Sequence, residues 1–352
     1  MSITSFYFLA LVTVGVLVYY VVPKSIQWMI LLVLSAVFYY FAATPCTIGY
    51  LVVSTMIAYL STMWIQKKRD ALGREAKGLL VVTFVALAVN IAIWFFVKGR
   101  GLWVPFASRL TAWRDVSVLD SLVNWKIAAS LGMGYYTLQV MGYIIDCYWE
   151  NITPQKNPLK LFLFVCYFPQ LTTGPISRYT QLNTLYSPHR FEYRNLAFGS
   201  QRILWGFMKK IVLAERVGMI VSAINADPGT YTGFYSWIAI LLYPLQMYAD
   251  FSGCMDIVLG VSELFGIPLA ENFNNPFFSR SSQEFWQRWH ITLGTWAKDY
   301  VLYPLLKSKS MVNFGKVARK KYGKKTGKFL VNLVGMFMLW MIMGIWHGGW
   351  RY

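Results

Sequence analysis

Charge is scarce in this sequence, and acid above all. Of 352 residues 14% are charged, against roughly 25% in an ordinary soluble domain, and only 15 are Asp or Glu. A chain that is 57% hydrophobic cannot cover itself with so few charges, so a water-facing globule is excluded and lipid is the natural solvent. The four cysteines, Cys46, Cys147, Cys166 and Cys254, form no CxxC pair and lie in apolar surroundings. They read as buried free thiols, and nothing selects one for lipid modification. No GxGxxG or GxxxxGK[ST] loop offers a nucleotide site, and no GxSxG elbow offers a serine nucleophile. There is also no low-complexity linker, no internal repeat and no soluble domain.

What is present is apolar length. Residues 3–22, 26–43, 47–65 and 79–97 each run without Asp, Glu, Lys or Arg, and each approaches the ~20 residues that cross a bilayer core as helix. The first run lacks a basic leader and a small-residue cleavage site, so it reads as a retained span. A formal charge of +18 raises nucleic acid as a partner, but the cations fall between apolar runs instead of lining one face. Lys67, Lys68, Arg69, Arg74 and Lys77 form one cluster. Lys307, Lys309, Lys316, Arg319, Lys320, Lys321, Lys324, Lys325 and Lys328 form another, with no acid among them. Both are expected to be membrane-surface anchors on the cytoplasmic side, against which Lys98 and Arg100 fit poorly. The partner implied is a lipid bilayer, and nucleic acid is not expected.

The fold expected is all-α and polytopic, with about eight to ten membrane-embedded helices. The first ~100 residues hold clean spans. Beyond them apolar stretches carry Pro, Gly and acids: Gly132, Gly134 and Asp146; Pro169, Gly174 and Pro175; Pro244, Asp250, Gly253, Asp256 and Gly260. Broken helices at membrane depth are tolerated only where protein or a water-filled cavity covers the freed backbone groups. Broken or re-entrant helices around a central funnel or tunnel are therefore expected.

Three histidines limit where chemistry can sit. His189, in Ser187-Pro188-His189-Arg190, reads as an exposed loop residue. His290 and His347 each follow a tryptophan in apolar, aromatic surroundings. An ionisable group at membrane depth is a functional candidate by default, although a histidine satisfying a nearby backbone group is the plainer reading of either alone. Neutral imidazole suits general-base work near neutral pH. Acyl transfer to a hydroxyl needs such a base, and donors for the oxyanion. Gly348-Gly349 allow close approach of substrate or backbone, or simply cap a helix. Zinc is disfavoured, because 57 positions separate the histidines and no cysteine lies near either. From Ser282 onward, Phe285, Trp289 and Leu293 share one helical face, with Trp286 and His290 beside it; Ser281 to Glu284 supply N-cap material. The aromatics of this stretch also suit interfacial anchoring.

The order of several blocks resembles a known family. Asp250-Phe251-Ser252-Gly253 with Asp256, then Glu271-Asn272-Phe273-Asn274-Asn275-Pro276, then Glu284-Phe285-Trp286-Gln287-Arg288-Trp289-His290-Ile291-Thr292-Leu293, and finally Gly344-Ile345-Trp346-His347-Gly348 are similar to the signature of membrane-bound O-acyltransferases. Gly132 to Asp146 and Phe168 to Arg178 resemble its earlier blocks, so the likeness covers residues 130–350. It is nearest the bacterial branch with the alginate O-acetyltransferase membrane subunit and the teichoic acid D-alanyl transferase.

The resemblance implies one membrane-embedded domain over residues 1–352, with N-terminal spans in 1–100 and a catalytic core in 130–352. Family members generally continue past the point where this chain ends, so truncation at the C-terminus is expected. The near-invariant catalytic histidine maps onto His347 and the second signature histidine onto His290. Arg288, Trp289, Asp250, Asn274 and Trp346 are candidates for substrate binding, and no metal or bound cofactor is expected. The implied donor is acetyl-CoA or an acyl-carrier protein. The implied acceptor is an exported polysaccharide such as alginate, or an extracytoplasmic acetyltransferase-like partner, at the cell membrane of a bacterium. D-alanyl transfer to teichoic acid is the neighbouring alternative. A transporter is the alternative of another class, since broken helices also build substrate sites, but the two halves show no corresponding pair of interrupted segments. A purely structural scaffold is the third reading.

Overall fold

The structure, a computed structural model, describes residues 1–73, 78–111 and 130–347. Among the described residues fourteen α-helices follow in chain order: α1 (Phe6–Val21), α2 (Gln27–Ala42), α3 (Ile48–Leu72), α4 (Leu79–Val97), α5 (Arg100–Thr111), α6 (Met133–Tyr148), α7 (Pro158–Cys166), α8 (Tyr193–Phe207), α9 (Glu215–Ala226), α10 (Phe234–Leu264), α11 (Ser282–Arg288), α12 (Ile291–Ala297), α13 (Tyr303–Lys307) and α14 (Lys309–His347). Wider π turns over Met208–Ala214 and Lys298–Leu302 join α8 to α9 and α12 to α13. Among the described residues the only β pairing is one isolated bridge, Phe273 with Trp289. The all-α expectation holds, because in lipid a helix satisfies its own backbone groups. Among the described residues four segments are long and apolar enough to cross a membrane: Lys24–Ala42, Pro45–Leu72, Leu79–Val97 and Lys309–His347. The first cationic cluster is only partly described, since Arg74 and Lys77 lie outside the described residues.

The chain divides into two compact units, one of Met1–Pro45 with Leu159–Thr292, the other of Cys46–Pro158 with Leu293–Tyr352. In the first, Phe8, Phe38, Phe168 and Phe265 are fully buried and meet edge-on or tilted, with ring centroids 5.6 to 6.2 Å apart. Ser35 Oγ accepts the Phe168 N–H at 3.1 Å and donates to Leu31 O, tying α2 to the segment after α7. His189 is not the exposed loop residue that the sequence suggests. It is half-buried, its Nδ1 lies 2.8 Å from the Tyr19 hydroxyl, and Gln27 bonds both its N–H and its carbonyl. Three side chains of one polar cluster thus pin the 187–192 turn onto α1 and α2.

The expected interruption of residues 244–260 does not occur. Helix α10 is continuous for 31 residues through Pro244, Gly253 and Gly260. Its glycines serve packing: a Cβ on Gly260 would lie 2.7 Å from Gly199 O, and a Cβ on Gly253 2.9 Å from Gly206 O. Two glycine pairs, seven residues apart on each helix, bring the α8 and α10 backbones into direct contact, the close approach that small residues permit in membrane helices. The chain does leave helix around Pro169, Gly174 and Pro175, and α14 is kinked at Gly323, where φ is +83°.

In the second unit α3, α4 and α6 pack on one another. The Arg69 guanidinium donates to the last carbonyls of α6, Cys147 O at 3.1 Å and Tyr148 O at 2.7 Å, a cation placed at the negative end of a helix. Asp146 is buried and structural: it accepts from Tyr300 Oη at 2.6 Å and from Asn151 Nδ2 at 3.0 Å. Cys147, Cys166 and Cys254 are buried as expected, whereas Cys46 is exposed.

Candidate active site

His290 stands in the first unit at a break in the chain. The sequence periodicity predicts one helix running past it, but α11 ends at Arg288 and α12 begins at Ile291. The N-cap is where the sequence puts it, with Ser281 Oγ accepting the Glu284 N–H at 3.1 Å. The break arises because the 272–274 segment captures the backbone: Asn274 N–H donates to Arg288 O at 3.0 Å, and Ile291 N–H to Asn272 O at 3.0 Å. His290 itself has φ of +46°, a region that non-glycine residues rarely occupy. Of the three such residues described, two, His290 and Asn275, belong to this site. Outliers of this kind collect at functional sites.

Asn272 organises the imidazole. It is 1% exposed, and its Oδ1 lies 3.2 Å from His290 Nδ1, 3.0 Å from the Thr292 N–H and 2.9 Å from Thr292 Oγ1. A backbone N–H can only donate, so the atom facing these groups is the amide oxygen and not the nitrogen. Nδ1 must then carry a proton to bond it, which leaves Nε2 as the basic nitrogen of the neutral ring. Thr292 Oγ1 in turn accepts the Ile176 N–H at 3.0 Å, anchoring the site to the segment that follows Gly174-Pro175. Phe251 meets the His290 ring edge-on at 4.9 Å. Trp289 stacks on Phe285 at 5.6 Å and meets Phe273 edge-on at 5.1 Å. The aromatics around His290 therefore pack on one another and shield it.

The other candidates of this unit spread around that centre. Arg288 donates to Glu284 Oε1 at 2.6 Å, and Glu284 also accepts the Arg280 N–H at 2.8 Å. That N–H, with the Arg288 charge, holds the Glu284 carboxyl below its ordinary range. Asp250 is ion-paired to Lys210. Asn274 is exposed and lines a cavity of about 320 Å³ that also reaches Asn272 and Tyr248. Its walls carry groups the sequence reading did not select. Arg202 binds Glu271 through both oxygens, at 2.7 and 2.6 Å, and Asp256 at 3.1 Å; Lys209 also pairs with Asp256. Two cations and two carboxylates neutralise one another there.

Trp346 and His347 belong to the second unit, at the end of α14. Their rings meet edge-on at 4.7 Å, and His347 is exposed. Trp346 Nε1 donates to Gly134 O at 3.3 Å, with Lys98 Nζ 5.4 Å from its ring. Gly134 packs closely here, since a Cβ would lie 2.6 Å from that Nζ and 3.3 Å from the indole. Lys98, awkward as a topological marker, is thus a neighbour of the Trp346–His347 pair. Gly348 and Gly349 lie outside the described residues.

Asn272 is the residue that sequence reading missed. It sits in the Glu271-Asn272-Phe273-Asn274 run, and no residue pattern tells which asparagine turns inward.

Residues 154–319 match the model of the membrane-bound O-acyltransferase family. The probable alginate O-acetylase AlgI of Pseudomonas putida is 28% identical over 337 residues, covering 94% of this chain and 66% of the relative. The peptidoglycan O-acetyltransferase of Helicobacter pylori is 30% identical over 251 residues, 63% of this chain and 44% of the relative. The teichoic acid D-alanyltransferase of Streptococcus thermophilus is 27% identical over 313 residues, 78% and 72%. The chain spans from under half to just under three-quarters of the length of these three proteins. With its helical architecture and the four membrane-length segments among its described residues, this chain is a multi-pass membrane protein, and its residues 154–319, which include the site around His290, match the membrane-bound O-acyltransferase family.

Proposed function

We propose that this chain carries an O-acyltransferase core, residues 130–352, that moves an acyl group, foremost acetyl, from a cytoplasmic donor to hydroxyls of an exported cell-envelope polysaccharide, or to a partner that relays it. The donor is acetyl-CoA or an acyl-carrier protein. The observation that carries the reading is the buried His290 imidazole, held by Asn272 in the tautomer with Nε2 basic. His347 acts as principal base and His290 as its support in orienting substrate. The base takes the acceptor hydroxyl proton while the oxygen adds to the thioester carbonyl. Collapse of the tetrahedral intermediate forms the ester and expels a thiolate, which recovers the proton from imidazolium. Arg288, Trp289, Asp250, Asn274 and Trp346 are assigned to substrate binding.

His347→Ala is expected to abolish acyl transfer to the polymer while the protein stays in the membrane at wild-type level; full activity in that variant overturns the assignment. D-alanyl transfer is the second reading, favoured by the similarity to the Streptococcus thermophilus enzyme. Transfer driven by acetyl-CoA alone supports acetylation. A strict requirement for a charged aminoacyl carrier supports D-alanylation.

A further inference from the structure

The chain has no Asp or Glu after Asp299, yet residues 307–328 hold nine Lys or Arg. The structure folds them into a hairpin within the second unit. Helix α14 turns at Gly323, and its two arms close on glycines: a Cβ on Gly327 would lie 2.6 Å from the Arg319 backbone, and one on Gly315 3.2 Å from Val331. Arg319 Nε donates back to Gly315 O at 2.9 Å. This contact fixes the spacing of the cations, all of which are exposed from Lys316 through Lys328. Among the described residues none of the nine forms an ion pair. Among the described residues no acid offsets their mutual repulsion, which favours an anionic partner.

Two observations identify that partner as lipid. Apolar side chains stand exposed among the cations, with Val317 64%, Tyr322 53% and Phe329 62% exposed. A headgroup layer solvates the cations and takes up the apolar groups beneath. The second arm also runs on without interruption into residues 329–345, which carry no charge. Only 11% of the most apolar 18-residue window of this segment is buried in protein. A lipid-facing span that begins at the hairpin places the hairpin at headgroup level.

We propose that the 309–328 hairpin is a binding element for anionic phospholipid headgroups of the cytoplasmic leaflet, holding the span that ends in His347 at a fixed depth. The test uses the full chain in neutral detergent, titrated with phosphatidylglycerol or phosphatidylcholine, with bound lipid counted by native mass spectrometry. Phosphatidylglycerol is expected to bind saturably, and more weakly at high salt, while phosphatidylcholine does not. Each cation near an anionic surface contributes about 1 kcal/mol, and each 1.4 kcal/mol is about tenfold. The combined variant K320Q/K321Q/K324Q/K325Q is therefore expected to weaken phosphatidylglycerol binding on the order of 10²- to 10³-fold. Arginine at the same four positions keeps the charge and is expected to retain binding, which separates loss of charge from loss of fold. Wild-type phosphatidylglycerol affinity in the glutamine variant, or equal binding of phosphatidylcholine, overturns the proposal. So does retention of an added acidic carrier protein where phosphatidylglycerol is not retained.

Discussion

Replacing Asn272 with alanine removes the acceptor of three hydrogen bonds from a site 1% exposed to solvent. Leaving a buried donor unpaired costs about 1–3 kcal/mol. Thr292 Oγ1 is a hydroxyl that can rotate to another acceptor, so the Thr292 N–H and His290 Nδ1 carry most of the loss. A destabilisation of about 2–4 kcal/mol follows, less than the sum because the groups share one site. On the reading that His290 supports catalysis, the ring also loses the partner that fixes its tautomer and orientation, and a fall in turnover of about 10- to 100-fold is expected, by analogy with the outer-shell partners that orient metal-ligating histidines. Thermal unfolding in detergent measures the first effect; acyl transfer by membranes normalised to folded protein measures the second. Asn272→Asp is the discriminating variant. It keeps the acceptors, and places a carboxylate against Nδ1–H, which stabilises the imidazolium. The acid limb of the pH–activity profile is expected to move to higher pH by about one unit or more, each unit being about 1.4 kcal/mol. An alanine variant with unchanged unfolding temperature and turnover, or an aspartate variant with an unshifted profile, refutes the role assigned to Asn272.

Three further outcomes follow from the geometry. Gly206→Ala puts a Cβ 2.6 Å from Gly253 O, a backbone atom that yields only if α8 and α10 separate; a loss of about 1–3 kcal/mol is expected, read as a lower unfolding temperature, and Gly49→Ala, which meets nothing within 4 Å, serves as the control. Tyr300→Phe deletes the 2.6 Å bond to the buried Asp146 carboxylate and is expected to cost about 1–3 kcal/mol, with Asp146→Asn adding little to it in a double-mutant cycle. Burial lowers the His189 pKa from its ordinary value, so the unfolded chain binds more protons below about pH 6.5, and stability falls as the pH drops through that point. Unfolding temperature should therefore decline between pH 7.5 and 5.5, and His189→Gln should flatten that slope; an unchanged slope sinks the linkage.

Composition and periodicity determined the solvent and the secondary structure. Apolar runs without charge, such as residues 79–97, leave no fold other than helix in lipid, because each backbone group must then find its partner within its own segment. The ordered blocks around His290 and His347 marked the family for the same local reason: each is a short run that can be read without knowing what it touches. Tertiary contact decided the rest. Pro244, Gly253 and Gly260 look like helix interruptions in one dimension, and only the approach of Gly199 and Gly206 on α8 shows that they are a packing surface. The Phe285, Trp289 and Leu293 periodicity calls for a helix through His290, but backbone bonds to residues 272–274 hold that stretch open. His189 reads as a polar turn until Tyr19 and Gln27, far away in sequence, are placed beside it. Asn272 and Asn274 are indistinguishable as letters, and the fold buries one against the imidazole while leaving the other exposed. Each of these outcomes depends on partners distant along the chain, whose positions are fixed by packing and not by local preference.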